Sequence, residues 1–416
     1  MLRVLMLSWE YPPKSVGGLA QHVYDLTGAL AESGVDVHLI TSGDKSAPSY
    51  ERVNGVNVYR VEPYRVSSPD FVTWVAQFNV ALLEKVMPLL NEVGGFHVVH
   101  AHDWLVAYAA RAIKHAGRLP LVVTIHATEY GRNHGLHNDV QRHISDIEWW
   151  LTYEAWRVIC CSRYMEGEVK HVFQLPPDKV AVIPNGVNVA SFQKGSDNEL
   201  RSHYAAPDEK VIFYVGRLVK EKGVQVLLDA APEVLAHYPQ TKFIIAGKGP
   251  YLSALKRQVE ALGIANRVYF TGYINDNVRN SLYSWSDAAV FPSLYEPFGI
   301  VALEAMAART PVIVSDCGGI SEIVSHGVNG LKAATGNSHS LAQNILAVLK
   351  QSELGEYLKE NAYSMVLDEF NWRHIARQTV AVYKEVLDAH RSTTWPVADR
   401  QNGIFGRFNR LIARYS

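Results

Sequence analysis

The sequence has few cysteines, little net charge and no long apolar run, and each of these absences excludes a class of protein. Only three of the 416 residues are cysteine, and two of them, Cys160 and Cys161, are adjacent in an apolar stretch. This usage excludes a disulfide-stabilised scaffold and is typical of buried thiols in a reducing compartment, so we expect a cytoplasmic protein. The formal net charge of -1 creates no field that would attract nucleic acid.

Apolar runs are short throughout the chain. The first, from Val4 to Leu7, is much shorter than the core of a signal peptide, and none approaches the roughly 20 residues of a membrane-spanning helix. Apolar residues nevertheless make up 48% of the sequence against 19% charged residues, which is the balance of a globular protein. Because 416 residues exceed one ordinary core, we expect two domains of about 200 residues.

Short apolar segments alternate with helical patterns along most of the chain. One series of such segments runs from Leu2 to Ile183, and a second runs from Val211 to Ser315. Nearly continuous apolar strands between helices indicate parallel sheets covered on both faces. The sequence therefore predicts an α/β protein with two Rossmann-like domains, whose ligands lie at the carboxyl ends of the strands. Two such domains facing each other would enclose a cleft.

Polar stretches between the two series define the expected domains. We predict a first domain over residues 1–190, a second over residues 191–370, and a helix over residues 371–390 that packs back toward the first domain. Residues 391–416 form a linker and a basic amphipathic tail, whose apolar positions share one helical face. Residues 400–416 would dock on the protein's own surface, or would lie against a membrane or a partner.

The most informative segment is Glu-Pro-Phe-Gly-Ile-Val-Ala-Leu-Glu, from Glu296 to Glu304. Helices begin readily after Pro and Gly, so we expect Glu296 in a loop and Glu304 about one turn into a helix. N–H groups near Gly299, Ile300 and Val301 would lack intrahelical partners and would favour a phosphate. The two carboxylates can accept hydrogen bonds from sugar hydroxyls, so this loop could hold both the phosphate and the sugar of a nucleotide-sugar. The alternative is a solvated loop acid and a helix acid that complements the dipole.

Two other loops carry groups suited to phosphate. Arg217 and Lys222 follow a strand of the second series, where cations can neutralise a leaving diphosphate. Gly17 and Gly18 follow the first strand and would let the backbone approach a phosphate, although a simple tight turn remains an alternative. The pattern is not Gly-x-Gly-x-x-Gly, so a dinucleotide cofactor is disfavoured.

Histidines and an aspartate end two strands of the first series. These are His100, His102 and Asp103 in one segment and His126 in the next. His-x-His spacing on a strand points both rings to one face. Because no third ligand stands out, hydrogen bonding to a sugar or within the core is favoured over a metal.

Together these residues resemble those of family 4 glycosyltransferases, which have the GT-B fold, from Met1 to about His390. The resemblance rests on Ser8-Trp9-Glu10-Tyr11-Pro12-Pro13, Gly17-Gly18-Leu19, His100-Ala101-His102-Asp103-Trp104, His126, Gly216-Arg217, Lys222-Gly223 and the two glutamates Glu296 and Glu304. Within the family, the Gly-Gly-Leu and His-Asp-Trp motifs are most similar to those of bacterial and archaeal glycogen synthases. The resemblance implies retaining transfer of a hexose such as glucose from ADP-glucose, UDP-glucose or a related donor to an α-glucan, with no cofactor and no metal.

The resemblance also implies roles for donor-binding residues. Glu296 would contact the donor sugar hydroxyls, and Glu304 would hold the ribose. Arg217 and Lys222 would stabilise the departing diphosphate, and the backbone of residues 299–301 would face the phosphates.

The remaining implied roles belong to the first domain. Gly18 would also face the phosphates, His126 would contact the sugar near its reacting carbon, and Asp103 would lie on the acceptor side. Acceptor preference is expected to be encoded between Glu129 and Trp150. Closure about the linker at residues 184–198 would accompany binding.

One departure from glycogen synthases concerns the lysine before Gly-Gly. Those enzymes have Lys two positions before the glycines, whereas here Ser15 holds that position and Lys14 precedes it. Either Lys14 reaches the same phosphate through a shifted loop, or the contact is absent. Transfer to a small-molecule, lipid or cell-envelope saccharide is therefore an alternative, and a nucleotide-sugar-binding regulator without catalysis is a further one.

Overall fold

The chain folds into two α/β units in a computed structural model that describes residues 1–64, 68–192, 198–393 and 395. The first unit comprises Met1–Cys160, Glu166–Ile183 and the described residues from Ile375 on, and the second comprises Cys161–Met165 and Pro184–His374. The units thus divide at Ile183, a few residues before the boundary that we expected. The tail at residues 400–416 lies outside the described residues.

The first unit is built on an eight-stranded sheet. Its strands are β1 (Arg3–Leu7), β2 (Asp36–Ser42), β3 (Tyr50–Val53), β4 (Val56–Val61), β5 (Val98–His102), β6 (Leu121–Ile125), β7 (Arg157–Cys160) and β8 (Val180–Val182). Their order is β3-β4-β2-β1-β5-β6-β7-β8, and every pair is parallel except β3 with β4. Its helices are α1 (Gly18–Glu32), α2 (Phe71–Glu92), α3 (Ala107–Gly117), α4 (Glu129–Asn133), α5 (Asp139–Glu154) and most of α6 (Arg163–Phe173).

The second unit is built on a six-stranded sheet in which every pair is parallel. Its strands are β9 (Lys210–Val215), β10 (Thr241–Ala246), β11 (Val268–Gly272), β12 (Ala288–Phe291), β13 (Val312–Ser315) and β14 (Leu331–Ala333), in the order β11-β10-β9-β12-β13-β14. The helices that follow along the chain are α7 (Asn198–Tyr204), α8 (Val224–His237), α9 (Leu252–Ala261), α10 (Asp276–Trp285), α11 (Ile300–Ala307), α12 (Ile320–Ile323), α13 (Ser338–Lys350), α14 (Ser352–Glu369) and α15 (Trp372–Ser392).

The central strands of the first sheet are apolar and buried on both sides. Every residue of β5 and β6 is buried, and the side chains from Val4 to Leu7 in β1 are fully buried. Burying a side chain of this size contributes roughly 1.5–3 kcal/mol, so the central strands anchor each core. The expected α/β class with parallel sheets is confirmed.

Local signals set several helix starts. The carboxylate of Asp70 accepts a hydrogen bond from the N–H of Thr73 at the start of α2, and the Asn138 side chain accepts one from Gln141 at the start of α5. Such caps satisfy backbone donors that have no intrahelical partner. None of the helices in the described part of the chain combines the length and apolarity needed to span a bilayer. All three cysteines are thiols, and Cys160 and Cys161 are buried as expected.

Candidate active site

In the second unit, an ion pair joins the loops that follow β9 and β12. The Lys222 ammonium lies 2.7 Å from Oε2 of Glu296, and the Ser293 hydroxyl donates to the same oxygen at 3.1 Å. Glu296 is buried and Lys222 is half-buried. The sequence placed both residues in loops at strand ends but gave no sign that they touch, because 74 residues separate them.

A close backbone contact fixes this pair of loops. Gly223 follows Lys222 with a φ of +69°, and a Cβ there would lie 1.8 Å from the carbonyl oxygen of Pro292. The N–H of Leu294 donates to the carbonyl oxygen of Glu221 at 2.8 Å. Only glycine permits both the left-handed backbone and the close approach. The main-chain contacts between the two loops therefore hold Glu296 close to Lys222.

Helix α11 begins directly after the Glu296 loop, as the sequence predicts. Gly299 caps it with a φ of +103°, and a Cβ there would lie 2.6 Å from the Ile320 side chain. The first N–H groups of a helix have no intrahelical partner and carry partial positive charge. Ile300 and Val301 supply these groups next to Glu296 and Lys222, which makes this end of α11 suited to an anion.

Glu304 lies in α11 and is buried with two partners that the sequence did not indicate. The Tyr283 hydroxyl donates to Oε2 at 3.2 Å, and Nη1 of Arg279 lies 3.6 Å from Oε1. Burial raises the pKa of the Glu304 carboxyl, and the Arg279 charge opposes that rise. Both partners lie on α10, so two helices orient the carboxylate.

Arg217 lies in the loop after β9 and is exposed. Its guanidinium is 3.7 Å from the Glu221 carboxylate, a loose contact, and its carbonyl oxygen accepts a hydrogen bond from the Tyr214 hydroxyl at 3.2 Å. The Arg217 side chain is thus attached to the loop that carries Lys222 but remains accessible to an anion.

In the first unit, Gly17 and Gly18 mark the start of α1. The φ of Gly17 is -154°, an extended value that any residue adopts, and a Cβ there would contact nothing within 4 Å. Neither a tight turn nor internal packing therefore requires glycine at this position. Oε2 of Glu10 accepts the N–H of Val16 at 2.5 Å and the N–H of Gly17 at 3.3 Å. These N–H groups already bind a carboxylate, which makes them suited to an anion.

The Lys14 side chain is directed toward α2. Its ammonium lies 5.3 Å from the ring centroid of Trp74 in α2. Burial lowers the pKa of Lys14, while Asp44, Glu10 and Glu62 oppose that shift.

The ends of β5 and β6 bring His102, Asp103 and His126 together. Nδ1 of His102 lies 3.1 Å from Nε2 of His126, and Oδ1 of Asp103 accepts the backbone N–H of His126 at 2.8 Å. Burial lowers the pKa of His126 to about 3 and raises that of Asp103 to about 6. The imidazoles are therefore neutral near pH 7. His100 instead bonds into the core, to the Tyr383 hydroxyl and the Thr124 hydroxyl, both at 2.7 Å.

A third histidine joins this group from α1. The ligand atoms of His22, His102 and His126 all lie within 4.8 Å of one another, the one such group of three that could hold a metal among the described residues. Sequence reasoning missed His22 because it lies on a helix and not at a strand end. The nitrogens of His102 and His126 that face each other are already in hydrogen-bond contact.

The segment from Glu129 to Trp150 places Arg132 and Glu148 near enough to Asp103 to interact with it electrostatically. The buried carboxylate of Glu148 accepts the backbone N–H of Glu129 at 3.0 Å, and Nη1 of Arg132 lies 3.9 Å from it. Burial raises the pKa of Glu148 to about 8. Trp149 is exposed and stacks on Tyr153 with ring centroids 5.8 Å apart.

Comparisons with known proteins agree with this architecture. Residues 16–191 match the family described as Glycosyltransferase Family 4, and residues 196–365 match Glycosyl transferases group 1. An uncharacterized glycosyltransferase of Methanocaldococcus jannaschii is 41% identical over 392 residues, which cover 93% of this chain and 99% of the relative. The glycogen synthase of Mycobacterium tuberculosis is 34% identical over 397 residues, which cover 92% of this chain and 94% of that enzyme.

Among solved structures, the sucrose-phosphate synthase of Thermosynechococcus elongatus is similar with a TM-score of 0.81 and 25% identity. The match covers 94% of this chain and 100% of that one. Together with these matches, two α/β units that are each built on a sheet of mainly parallel strands define a glycosyltransferase enzyme of the GT-B class. The chain belongs to glycosyltransferase family 4.

Proposed function

We propose that the enzyme transfers a hexose, glucose in the first instance, from a nucleoside-diphosphate sugar to an α-glucan with retention of anomeric configuration. The observation that carries the donor half is the ion pair of Lys222 and Glu296 beside the start of α11. It sets a cation, a carboxylate and unpaired helix N–H groups in one place, as a sugar diphosphate requires.

In the proposed donor complex, the two members of this ion pair bind different parts of the ligand. Lys222, Arg217 and the start of α11 take the diphosphate, and Glu296 takes the sugar hydroxyls. Glu304, held by Tyr283 and Arg279, takes the ribose. Both carboxylates are buried, so their hydrogen bonds to hydroxyls form in a medium of low dielectric constant and are strong there.

The transfer step needs no covalent enzyme intermediate. The bond from the anomeric carbon to the diphosphate oxygen breaks, the acceptor hydroxyl bonds to the same face of the sugar, and its proton passes to the departing diphosphate. Lys222 and Arg217 stabilise the charge on that diphosphate. Following the family resemblance, we assign the neutral His126 to the reacting sugar and Asp103 to the acceptor side.

Two observations bear on the acceptor. The 34% identity to a glycogen synthase over almost the whole chain supports a glucan. The direction of the Lys14 side chain and the similarity to a sucrose-phosphate synthase favour a second candidate, transfer to a small sugar acceptor.

An array of nucleotide sugars, each with and without glycogen, tests this proposal through the release of diphosphate. We expect release from ADP-glucose or UDP-glucose that rises when glycogen is added. Turnover with small or lipid acceptors alone would sink the glucan assignment. Tight donor binding without turnover would show a regulator in place of an enzyme. NMR of the first product formed reports its anomeric configuration.

Residues 400–416 carry a separate proposal, contact with an anionic membrane surface from a cytoplasmic enzyme. The sequence supports it through four arginines and a shared apolar face. Sedimentation of the full chain with anionic liposomes, compared with a chain lacking these residues, tests it. If the full chain does not sediment with the liposomes, the proposed membrane contact is wrong.

A further inference from the structure

Glu304 offers the two oxygens of its carboxylate unequally to the protein. Oε2 accepts a hydrogen bond from the Tyr283 hydroxyl at 3.2 Å, whereas Oε1 lies 3.6 Å from Nη1 of Arg279, which is beyond ordinary hydrogen-bond length. An ionised carboxylate has about four acceptor positions, and the Glu304 side chain remains 10% exposed. These contacts therefore leave acceptor capacity for the hydroxyl groups of a ligand.

Tyr283 holds this carboxylate from a fixed position on α10. The side chain is fully buried, and its ring meets that of Phe213 on β9 edge to face, with centroids 5.1 Å apart and an interplanar angle of 79°. The Tyr283 hydroxyl also lies 3.3 Å from the carbonyl oxygen of Val301, so its proton is shared between two acceptors on α11. The hydroxyl thus fixes the Glu304 side chain relative to the first turn of the helix that carries it.

Arg279 is fixed opposite Glu304 by three other groups. Its Nε and Nη2 each donate to Oδ1 of Asn280 at 3.1 Å, Nη1 lies 3.0 Å from Oδ1 of Asp276, and the guanidinium lies 5.6 Å from the ring centroid of Phe192. These contacts hold a planar cation in one place beside the carboxylate. The positive charge opposes the rise in pKa that burial causes at Glu304 and thereby favours the ionised form.

A fixed, buried carboxylate distinguishes ligands by the hydroxyls that they carry. When it is ionised, it accepts hydrogen bonds and donates none. A ribose presents two neighbouring hydroxyls to such a group, at positions 2′ and 3′, whereas a 2′-deoxyribose presents one. A ligand that lacks a hydroxyl displaces water from the carboxylate and returns no hydrogen bond, so the charged acceptor is left unsatisfied. Discrimination between the two sugars therefore depends on how rigidly the carboxylate is held.

We propose that Tyr283 and Arg279 are positioning residues that set Glu304 as a selector for ribose, so that the enzyme accepts sugars of ribonucleoside diphosphates and discriminates against sugars of 2′-deoxyribonucleoside diphosphates. The inference rests on the proposed function, which assigns the donor ribose to Glu304, and it names the class of nucleotide that the site takes. Tyr283 and Arg279 act through the carboxylate that they hold and not by touching the donor.

Two donors that differ only at the ribose provide the kinetic test. These are ADP-glucose and 2′-deoxy-ADP-glucose, or the matching uridine pair if the enzyme uses UDP-glucose. We expect kcat/KM of wild type to be about tenfold or more lower for the deoxy donor, on the scale of one hydrogen bond to a charged group. Tyr283→Phe keeps the ring and removes the hydroxyl, so it should raise KM for the ribose donor and hardly change KM for the deoxy donor. A purely structural role would slow both donors equally, and an unchanged ratio between them would overturn the role of Tyr283.

A second substitution and a matched control make the result specific. Arg279→Gln should lower the same donor ratio, and Arg279→Lys should restore part of it, because lysine returns the positive charge without the planar fork. Tyr238→Phe is the control, since the Tyr238 hydroxyl also donates to a carbonyl oxygen at 3.3 Å in the second unit, that of Leu349. The control should keep the wild-type ratio. A fall in the ratio as large as that in Tyr283→Phe would overturn the proposal.

Calorimetry with ADP and 2′-deoxy-ADP, or with the matching uridine nucleotides, separates this inference from the proposed function because it needs no acceptor. We expect the full chain to bind the ribonucleotide about tenfold more tightly, and Tyr283→Phe to reduce that difference. If the difference is present but no saccharide accepts sugar, the proposed transfer is wrong and the ribose selector stands. If transfer occurs but the two nucleotides bind equally, the selector is wrong and the proposed function stands.

Discussion

At the scale of single residues, the site depends on charges that already have protein partners. Lys222 and Glu296 neutralise each other, Arg279 faces Glu304, and Glu10 binds the N–H groups before α1. If these residues bind the substrate as proposed, we expect each charge to exchange its protein partner for a substrate group. This arrangement keeps the desolvated groups compatible with folding, since a buried charge without a partner costs several kcal/mol.

Removal of either member of the Lys222–Glu296 pair should disable transfer. We expect Lys222→Ala and Glu296→Ala each to lower kcat by about a hundredfold or more, the scale for one preorganised electrostatic contact. Lys220→Ala, in the same loop but exposed, is the control and should retain wild-type kcat. Near wild-type kcat in both site variants would remove the pair from the mechanism.

A second residue-scale prediction concerns Glu148 and pH. Burial raises its pKa to about 8 from the 4.5 of an ordinary glutamate. The folded state therefore keeps a proton that the unfolded state loses, so this group costs stability as pH rises from about 5 to 8. Glu148→Gln should be more stable than wild type by an amount that grows over this window, to the order of a few kcal/mol. Urea unfolding at pH 5 and pH 8 measures this, and an equal difference at both pH values would contradict it.

At the scale of elements, sequence reasoning succeeded where the signal was local. The apolar runs gave the parallel strands, and the Pro-Phe-Gly break gave the start of α11. The hairpin of β3 and β4 was missed, although Asn54 and Gly55 join these strands with φ values of 49° and 80°, a pairing typical of tight hairpins. Contacts between distant elements, such as the one between Tyr283 and Glu304, produce no recognisable pattern in the local sequence. Their geometry arises only when α10 and α11 pack together.

The loop contact at Gly223 makes an element-scale prediction. Gly223→Ala adds a Cβ 1.8 Å from the Pro292 carbonyl oxygen at a φ of +69°, whereas Gly263→Ala has nearly the same φ, +68°, and nothing within 4 Å. We expect Gly263→Ala to lose about 1–2 kcal/mol through backbone strain alone. Gly223→Ala should lose more and should also lower kcat, because it separates Lys222 from Glu296. Equal losses in urea unfolding, with kcat intact, would show that the loop contact is immaterial.

At the scale of the whole molecule, the fold class and the start of α11 after the Glu296 loop could be predicted from the sequence, whereas contacts between distant segments could not. The residues that we assign to donor binding lie in contiguous motifs, such as Glu296 to Glu304. Lys14, Glu62 and Trp74, for example, lie on three separate segments, and only folding brings their side chains together.

Metal independence is a whole-molecule prediction. Activity should survive EDTA, because Lys222, Arg217 and helix α11 supply the positive charge that a divalent cation would otherwise provide. The group of His22, His102 and His126 makes the experiment informative. Loss of activity in EDTA that zinc or magnesium restores would show that a metal takes part.

The hydrogen bond between β5 and α15 can be tested directly by mutation. His100 and Tyr383 are both fully buried and hydrogen-bonded across 283 positions. Tyr383→Phe should cost about 1–3 kcal/mol, because it leaves a buried imidazole nitrogen unsatisfied. Tyr357→Phe, on an exposed side chain, should cost almost nothing. Equal unfolding midpoints for the two variants would show that this hydrogen bond does not contribute to the free energy of unfolding.

This contact has a consequence for how the protein is made. The first unit begins with β1 yet includes the described residues from Ile375 on, so its core remains incomplete while the ribosome synthesises the second unit. The hydrogen bond between His100 and Tyr383 cannot form until α15 has been synthesised. All eight strands of the first sheet are therefore synthesised long before the helix that completes this unit, and the order of synthesis differs from the order in which the two cores can close.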